Sequence, residues 1–483
     1  MANAIEGLQP KLVWKYFAEI AKVPRPSKHE ERIIAYVLDT AKKLGLPAKK
    51  DSFGNVLITK SASKGKENVK MLCLQGHLDM VCEKNSDKKF DFMKDAIELV
   101  VNGNMLMANG TTLGADNGIA VATMLAIAED KSLEHGPLEL LFTIDEETGL
   151  TGASNLARDF VQSKTMMNLD SEEEGALYVG CSGGRDTTGT WNTEAENSPA
   201  NTSAMQLKVF GLKGGHSGLE IDKGRGNAIK ILNRVLVKLS ALGARLSTIN
   251  GGNKRNAIPR ECDALLFVPK KSVNNAMLVV EEMQKIIKAE LSTAEPDLTI
   301  SIVSVKSKGK VVKKSVQKKV MQTISALPHG VMKLSADISG LVETSTNVAV
   351  ITTDKKTIAI ATSQRSSVAS EIEEICETVR NIFELGGANI TTSDGYPGWK
   401  PNMQSEILKV AQTSYKSLYK KNAAVKAIHA GLECGIIGER CPGMDMVSFG
   451  PTMEGVHSPD ERLHIDTVDK FWKFLLTILK NVK

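Results

Sequence analysis

The stretch LELLFTIDEETG, Leu138–Gly149, runs a mostly apolar segment into three consecutive acids, Asp145, Glu146 and Glu147. A short apolar run closed by polar residues reads as a strand covered on both faces, the habit of parallel sheets. VKMLCLQ, Val69–Gln75, and TMMNL, Thr165–Leu169, repeat the pattern. Between them GADNGIAVATMLAIAED, Gly114–Asp130, shows helical apolar spacing from Ile119. Strands alternating with helices predict an α/β domain, with a largely parallel mixed sheet and helices on both faces. Upstream, DSFGNVLIT, Asp51–Thr59, predicts another strand. The Ser27–Glu30 pair in SKHEERI predicts a capping box that opens a helix.

The texture changes after CSGGRD, Cys181–Asp186. AMQLKVFGL, NAIKILNRVLVKL, DALLFV and AMLVVEEMQKIIKAEL form one strand–helix–strand–helix set. LTISIVSVK, SVQKKVMQTISAL, TNVAVITT, KKTIAIATS and SEIEEICETVRNIFEL form a second with a similar order. This predicts an inserted α+β domain made of two similar halves. The chain then divides into 1–190 and 392–483, which together form the catalytic domain, and 200–388, the insertion. The C-terminal part opens on the amphipathic helix Ser405–Lys420.

Bulk properties narrow the class. At 483 residues the chain is long enough for about two to three domains. Its net charge of +5 comes from 61 basic and 56 acidic residues spread along the chain. The lysine-rich runs KSASKGK and KKSVQKK hold no aromatics, so they read as solvated faces and not as nucleic-acid stripes. No run of about 18 apolar residues predicts a membrane span, and the N-terminus lacks the pattern of a secretory signal. Seven scattered cysteines without a CxxC suit free thiols in a reducing cytoplasm.

Ligands of open α/β sheets gather beyond the carboxyl ends of the strands. His77 and Asp79 follow VKMLCLQ, Glu146 and Glu147 follow LELLFTI, and Asp170 follows TMMNL. Asp116 sits at a helix start, where an N-cap role would also suit it. His457 lies in the Gly- and Pro-containing FGPTMEGVHSPDER. Carboxylates converging on one sheet edge repel each other, and divalent cations remove that cost. Imidazole plus carboxylate without thiolate suits Zn2+, and also accepts Mn2+ or Co2+. Two such ions, about 3.5–4 Å apart, can share a carboxylate and a water. A carboxylate that is not a ligand then serves as general base. The expectation is five ligands and one free carboxylate.

GHLDMV, GADNGIAVA, IDEETGLTGA, NLDSEEEG, GGHSG and EGVHSPDE, in this order and spacing, resemble the di-zinc exopeptidases, a family that includes glutamate carboxypeptidases and aminoacylases. Within it the chain resembles the aminoacyl-histidine (Xaa-His, carnosinase-like) dipeptidases over essentially its whole length. The resemblance implies that Asp116 bridges two metals. His77 and Asp170 complete one site, and Glu147 and His457 the other. Glu146 is the implied general base, and Asp79 orients His77. A cis peptide is implied at Asp116–Asn117. The insertion becomes a lid in which His216 stabilises the oxyanion. Arg365 clamps a substrate carboxylate, while Asn256 and Asn347 hold the substrate. His429 and Glu433 are implied substrate contacts, Glu433 for the free amino group.

The implied activity is cytosolic, metal-dependent hydrolysis of small dipeptides, such as β-Ala-His. The alternative is a related amide hydrolase, an aminoacylase or a dipeptidase without histidine preference. A non-catalytic metal protein would lack a ligand or the base, and none is missing. The lid is about twice the length found in many relatives, where a partner subunit supplies the oxyanion histidine. Both a monomer and a homodimer fit that length.

Overall fold

The computed structural model describes residues 5–483. The chain forms two units. The first comprises the chain through Gly180, Pro401–Ala427 and Leu432–Lys483; the second comprises Cys181–Lys400 and Ile428–Gly431.

An eight-stranded sheet organises the first unit. Its centre is parallel: Leu138–Thr143 pairs with Leu72–His77, which pairs with Thr165–Asn168, which pairs with Asp445–Ser448. Every residue of the first two strands is buried, as strands covered on both faces require, and the polar Gln75, His77, Glu139 and Thr143 are buried with the rest. Further strands flank this centre, with antiparallel pairing for Val56–Lys60, Ala48–Lys50 and Ala176–Cys181. Val56–Lys60 and Ala48–Lys50 lie on one side, and Ala176–Cys181 and Ala424–Ile428 on the other. Helix Ala115–Glu129 packs against Lys11–Ile20, Glu31–Leu44 and the strand Leu72–His77. It is buried on all sides from Ala115 to Ala128, because it has no polar face. Helices Glu406–Tyr419 and Ile465–Asn481 pack on each other. A smaller four-stranded sheet joins Leu99–Asn102, Met105–Ala108, Arg462–His464 and Met453–Glu454.

The Ser27–Glu30 capping box does not form. Helix Glu31–Leu44 starts with Glu30 as an N-cap that makes no side-chain cap bond. Ser27 Oγ donates to Asp79 instead, at 2.7 Å, and Glu30 Oε1 accepts from the amides of Lys28 and Asp145. Both capping groups are drawn toward a buried polar cluster.

The second unit is built on a nine-stranded, fully antiparallel sheet. It contains two halves of one topology. In the first, Thr202–Phe210 lies between Thr299–Ser304 and Cys262–Pro269, with Arg245–Gly251 beyond. In the second, Gly183–Asn192 lies between Asn389–Thr392 and Thr357–Ser366, with Val342–Thr353 beyond. The halves meet where Gly251 faces Ile351. Helices Ala228–Ala241, Val273–Glu290, Lys314–Ala326 and Ala369–Leu385 contribute to one buried core, in which Trp191 meets Phe383 edge-on at 5.9 Å.

Two expectations need correction here. The insertion begins at Cys181 and ends at Lys400, outside the 200–388 read from the sequence, because Gly183–Asn192 and Asn389–Thr392 are strands of its sheet. The segment LTISIVSVK does not open the second half. Thr299–Ser304 pairs with Thr202–Phe210 and closes the first.

Candidate functional site

His77 ends the central strand, and one glycine lets its surroundings close in. A Cβ on Gly76 would lie 2.3 Å from Asn117 Oδ1 and 2.9 Å from Ala120 Cβ. In that space Asn117 accepts from the His77 amide at 3.2 Å and donates to Leu169 O at 3.0 Å. It thereby joins the two strand ends that carry His77 and Asp170. The Asp116–Asn117 peptide is cis, and both residues lie off helical geometry within the first turn.

The buried His77 has Nε2 at 3.1 Å from Asp116 Oδ1 and 3.5 Å from Asp170 Oδ1; Nδ1 lies 3.3 Å from Asp79 Oδ1. The other Asp116 oxygen is 3.1 Å from His457 Nε2, which is 2.9 Å from Glu147 Oε2. Two triads, His77–Asp116–Asp170 and Asp116–Glu147–His457, thus share one aspartate. In each, the donor atoms lie within 4.8 Å of one another. Glu146 joins a third group, with His77 and Glu147, and is absent from the His457 triad.

Burial opposes charge on His77, yet Asp170, Asp116 and Asp79 outweigh it and hold its imidazolium well above the usual range. Hydrogen bonds to Asp116 and Glu147 lift His457 to about 11. Asp116 is lowered by the two histidines against its burial. Asp170 and Glu146 are driven well upward, first by burial and then by neighbouring carboxylates, against the pull of His77. This cluster calls for positive charge. Protons on the imidazoles supply it, and a cation that takes their place needs the ligands deprotonated. The donor set is imidazole and carboxylate with no thiolate, and Glu147 Oε1 is buried without a hydrogen-bond partner. These residues fit divalent metal.

The acidic run is a turn. The strand ends at Thr143, Asp145 takes a left-handed φ of 49°, and Glu146–Gly149 forms a single helical turn. Asp79 accepts from the amides of Glu146 at 3.0 Å and Glu147 at 3.2 Å. One carboxylate therefore orients His77 and caps the turn bearing both glutamates. The His77 imidazolium beside it, with hydrogen bonds from Ser27 and the Glu146 amide, outweighs its burial and keeps it down near 2. Asp145 belongs to neither triad; it clusters with Glu30 and Asp79, and its oxygens accept from the hydroxyls of Thr148 and Thr151.

In the second unit, Gly215–His216 pairs with Ala257–Ile258. The amides of Gly218 and Leu219 donate to His216 Nδ1 at 3.2 and 3.0 Å. Nδ1 is thus the acceptor, and the ring proton belongs on Nε2. Burial and the Arg365 charge push His216 down to about 4, so this tautomer stays neutral near pH 7. Asn256 adjoins this ribbon with its side chain exposed, while Asn347 donates to Ala257 O at 2.7 Å. Arg365 faces Ser345 across the sheet and donates to Tyr396 Oη at 2.8 Å. His429 Nε2 meets Ser345 Oγ at 2.7 Å, and burial lowers this histidine to about 3.

Glu433, the expected contact for a substrate amine, lies deep. It belongs to the first unit and is fully buried, accepting from Gln75 Nε2 at 2.6 Å and Thr143 Oγ1 at 2.7 Å. Burial lifts it to about 7. Sequence reading also passed over Tyr396, Arg25 and Glu461. The latter two are buried charges whose partners are backbone atoms, and no residue pattern announces such bonds.

Two imidazole–carboxylate triads share one aspartate, beside the carboxyl ends of the parallel strands at the centre of the sheet. The chain belongs to the family described as peptidase family M20/M25/M40, whose model matches residues 73–481, and it is a metal-dependent peptidase. It is 41% identical to the cytosol non-specific dipeptidase of Escherichia coli (strain K12) over 482 residues, 99% of each chain. The crystal structure of aminoacylhistidine dipeptidase from Vibrio alginolyticus superposes with a TM-score of 0.93 at 40% identity, covering 100% of this chain and 99% of that one. Aminopeptidase PepT from Bacillus cereus shares the fold alone, with a TM-score of 0.57 at 16% identity and coverage of 98% and 99%. Among the described residues no helix is long and apolar enough to cross a membrane.

Proposed function

We propose that this chain is a cytosolic dipeptidase that hydrolyses small dipeptides, Xaa-His substrates such as β-Ala-His among them. The observation that carries the reading is Asp116, whose two oxygens each face a different histidine at 3.1 Å. The full-length likeness to two dipeptidases supports it. His77 and Asp170 would hold one cation, Glu147 and His457 the other, and Asp116 both. Two Zn2+ suit these donors, with Mn2+ or Co2+ as alternatives. Bound there, the ions supply Lewis acidity and lower the pKa of water from 15.7 to about 7.

The remaining residues divide the work. Glu146, not needed as a ligand, accepts the proton of the attacking water and returns it to the leaving amine. Asp79 fixes the His77 ring and the amides of the Glu146 turn. The inserted unit is the proposed lid. In it His216 presents an Nε2 proton to the developing oxyanion, with the tautomer set by two backbone amides. Arg365 binds the substrate carboxylate, held at one nitrogen by Tyr396, while its buried Nε has no hydrogen-bond partner. Asn256, Asn347 and His429 complete the proposed substrate contacts.

A second reading, a dipeptidase without histidine preference, is favoured by the likeness to the non-specific dipeptidase of E. coli. Apo-protein reconstituted with Zn2+, Mn2+ or Co2+ and assayed on β-Ala-His, Gly-Gly and an N-acetyl amino acid tests both. Cleavage of the dipeptides and not of the N-acetyl compound is expected. The ratio of β-Ala-His to Gly-Gly turnover decides between the two readings. Hydrolysis of the N-acetyl compound alone would overturn both.

His216→Ala is expected to lower kcat by about 10²–10³-fold with metal content unchanged, as for loss of one oxyanion donor. Steady-state kinetics beside elemental analysis measures this. A parental kcat would remove His216 from the mechanism.

A further inference from the structure

Glu461 lies four residues beyond His457, at the end of the same loop. It is 2% exposed, and its carboxylate accepts four successive backbone amides. Oε2 takes Leu113 at 2.7 Å and Gly114 at 2.9 Å; Oε1 takes Ala115 at 2.8 Å and Asp116 at 3.3 Å. Consecutive amides turned to one side make an anion cradle, here filled by a side chain from another loop. The buried Arg25 holds carbonyls of the same region. Its guanidinium donates to Leu78 O at 3.1 Å, Asp79 O at 2.8 Å and Gly114 O. Gly114 is required there, since a Cβ would sit 2.5 Å from Arg25 Nη2. The loop ending at Glu461 is itself fixed: Ser458 Oγ donates to Gly455 O at 2.7 Å, and the Glu461 amide to Ser458 O at 3.1 Å.

We propose that Glu461 is a positioning residue that sets both cation sites at once, by tying the loop of His457 to the segment that presents Asp116. The inference rests on the metal reading given above. Asp116 serves both sites only if Oδ1 faces His77 and Oδ2 faces His457. Rotation of its backbone would spoil both together. Glu461 holds the amide of Asp116 itself and the three before it, so it governs that rotation. Glutamine there offers one acceptor oxygen and turns an NH2 toward amides that need acceptors.

Co2+ titration of apo-protein, read by d–d absorption and calorimetry, tests the proposal on the full chain. The parent is expected to take two Co2+ per chain. Glu461→Gln is expected to weaken both sites by about 10–100-fold and to alter the Co2+ spectrum, the scale seen when a partner behind a ligand is lost. Glu461→Asp, a shorter arm with the charge kept, should fall between. Glu454→Gln, which weakens only the pairs with Arg462 and His464 in the same hairpin, should titrate like the parent. A folded Glu461→Gln protein with parental Co2+ affinities and spectrum, and merely a lower Tm, would overturn the proposal. If that variant does not fold, the aspartate variant decides on the same criteria. A parent that takes no Co2+ would instead refute the metal reading, and this inference with it.

Discussion

Glu146→Gln is expected to bind metal as the parent does and to lose about 10²–10⁴-fold in kcat, the range of a positioned general base. The substitution keeps shape and removes only the ability to accept a proton. The metal should stay because Glu146 is not part of either triad that shares Asp116. Its amide is held by Asp79, so the turn keeps its form. Glu147 is the natural contrast. It touches His457 at 2.9 Å, so Glu147→Gln should lose metal along with rate. Metal analysis and kcat at saturating dipeptide measure both. A Glu146→Gln enzyme with near-parental kcat would end its assignment as base.

Asp116→Asn is expected to weaken metal binding by about 3–5 kcal/mol, the cost of removing one charge from a buried ionic cluster. Peptidase activity should fall toward the level of the apo-protein. An asparagine keeps one carbonyl oxygen and replaces the other with NH2. One of the two histidines, both now 3.1 Å from a carboxylate oxygen, would then face a donor. Calorimetric titration with Zn2+ should show one site missing and the other weakened. Two sites of parental affinity would show that Asp116 does not bridge.

Much of this centre could be read from residue order. Apolar runs marked the buried strands, and the acids and histidines after them marked the sheet edge where ligands gather. The division between Glu146 and Glu147 could not be read that way. Alternation along a strand end would separate the two side chains, but the strand has already stopped at Thr143 and both residues lie on a helical turn. Ser27 failed as a cap for a related reason. A hydroxyl near a helix start has several possible acceptors, and the buried Asp79 is the one it reaches. The depth of Glu433 could not be read, because a single acid carries no sign of its burial. Arg25 and Glu461 bond to backbone, which has no side-chain letter to find.

The halves of the inserted unit are nested, not consecutive. Gly183–Asn192 pairs with Thr357–Ser366, and the entire first half lies between them in the chain. As the chain leaves the ribosome, the first half holds all its strands before the second can close its sheet. The early strand Gly183–Asn192 must wait with an open edge while that half is made. Nascent protection thus falls to the first half, and final closure to the last segment synthesised. Long-range pairing of this kind is slow and exposes edges to wrong partners. The order of synthesis therefore completes the strands of the inner half before those of the outer one.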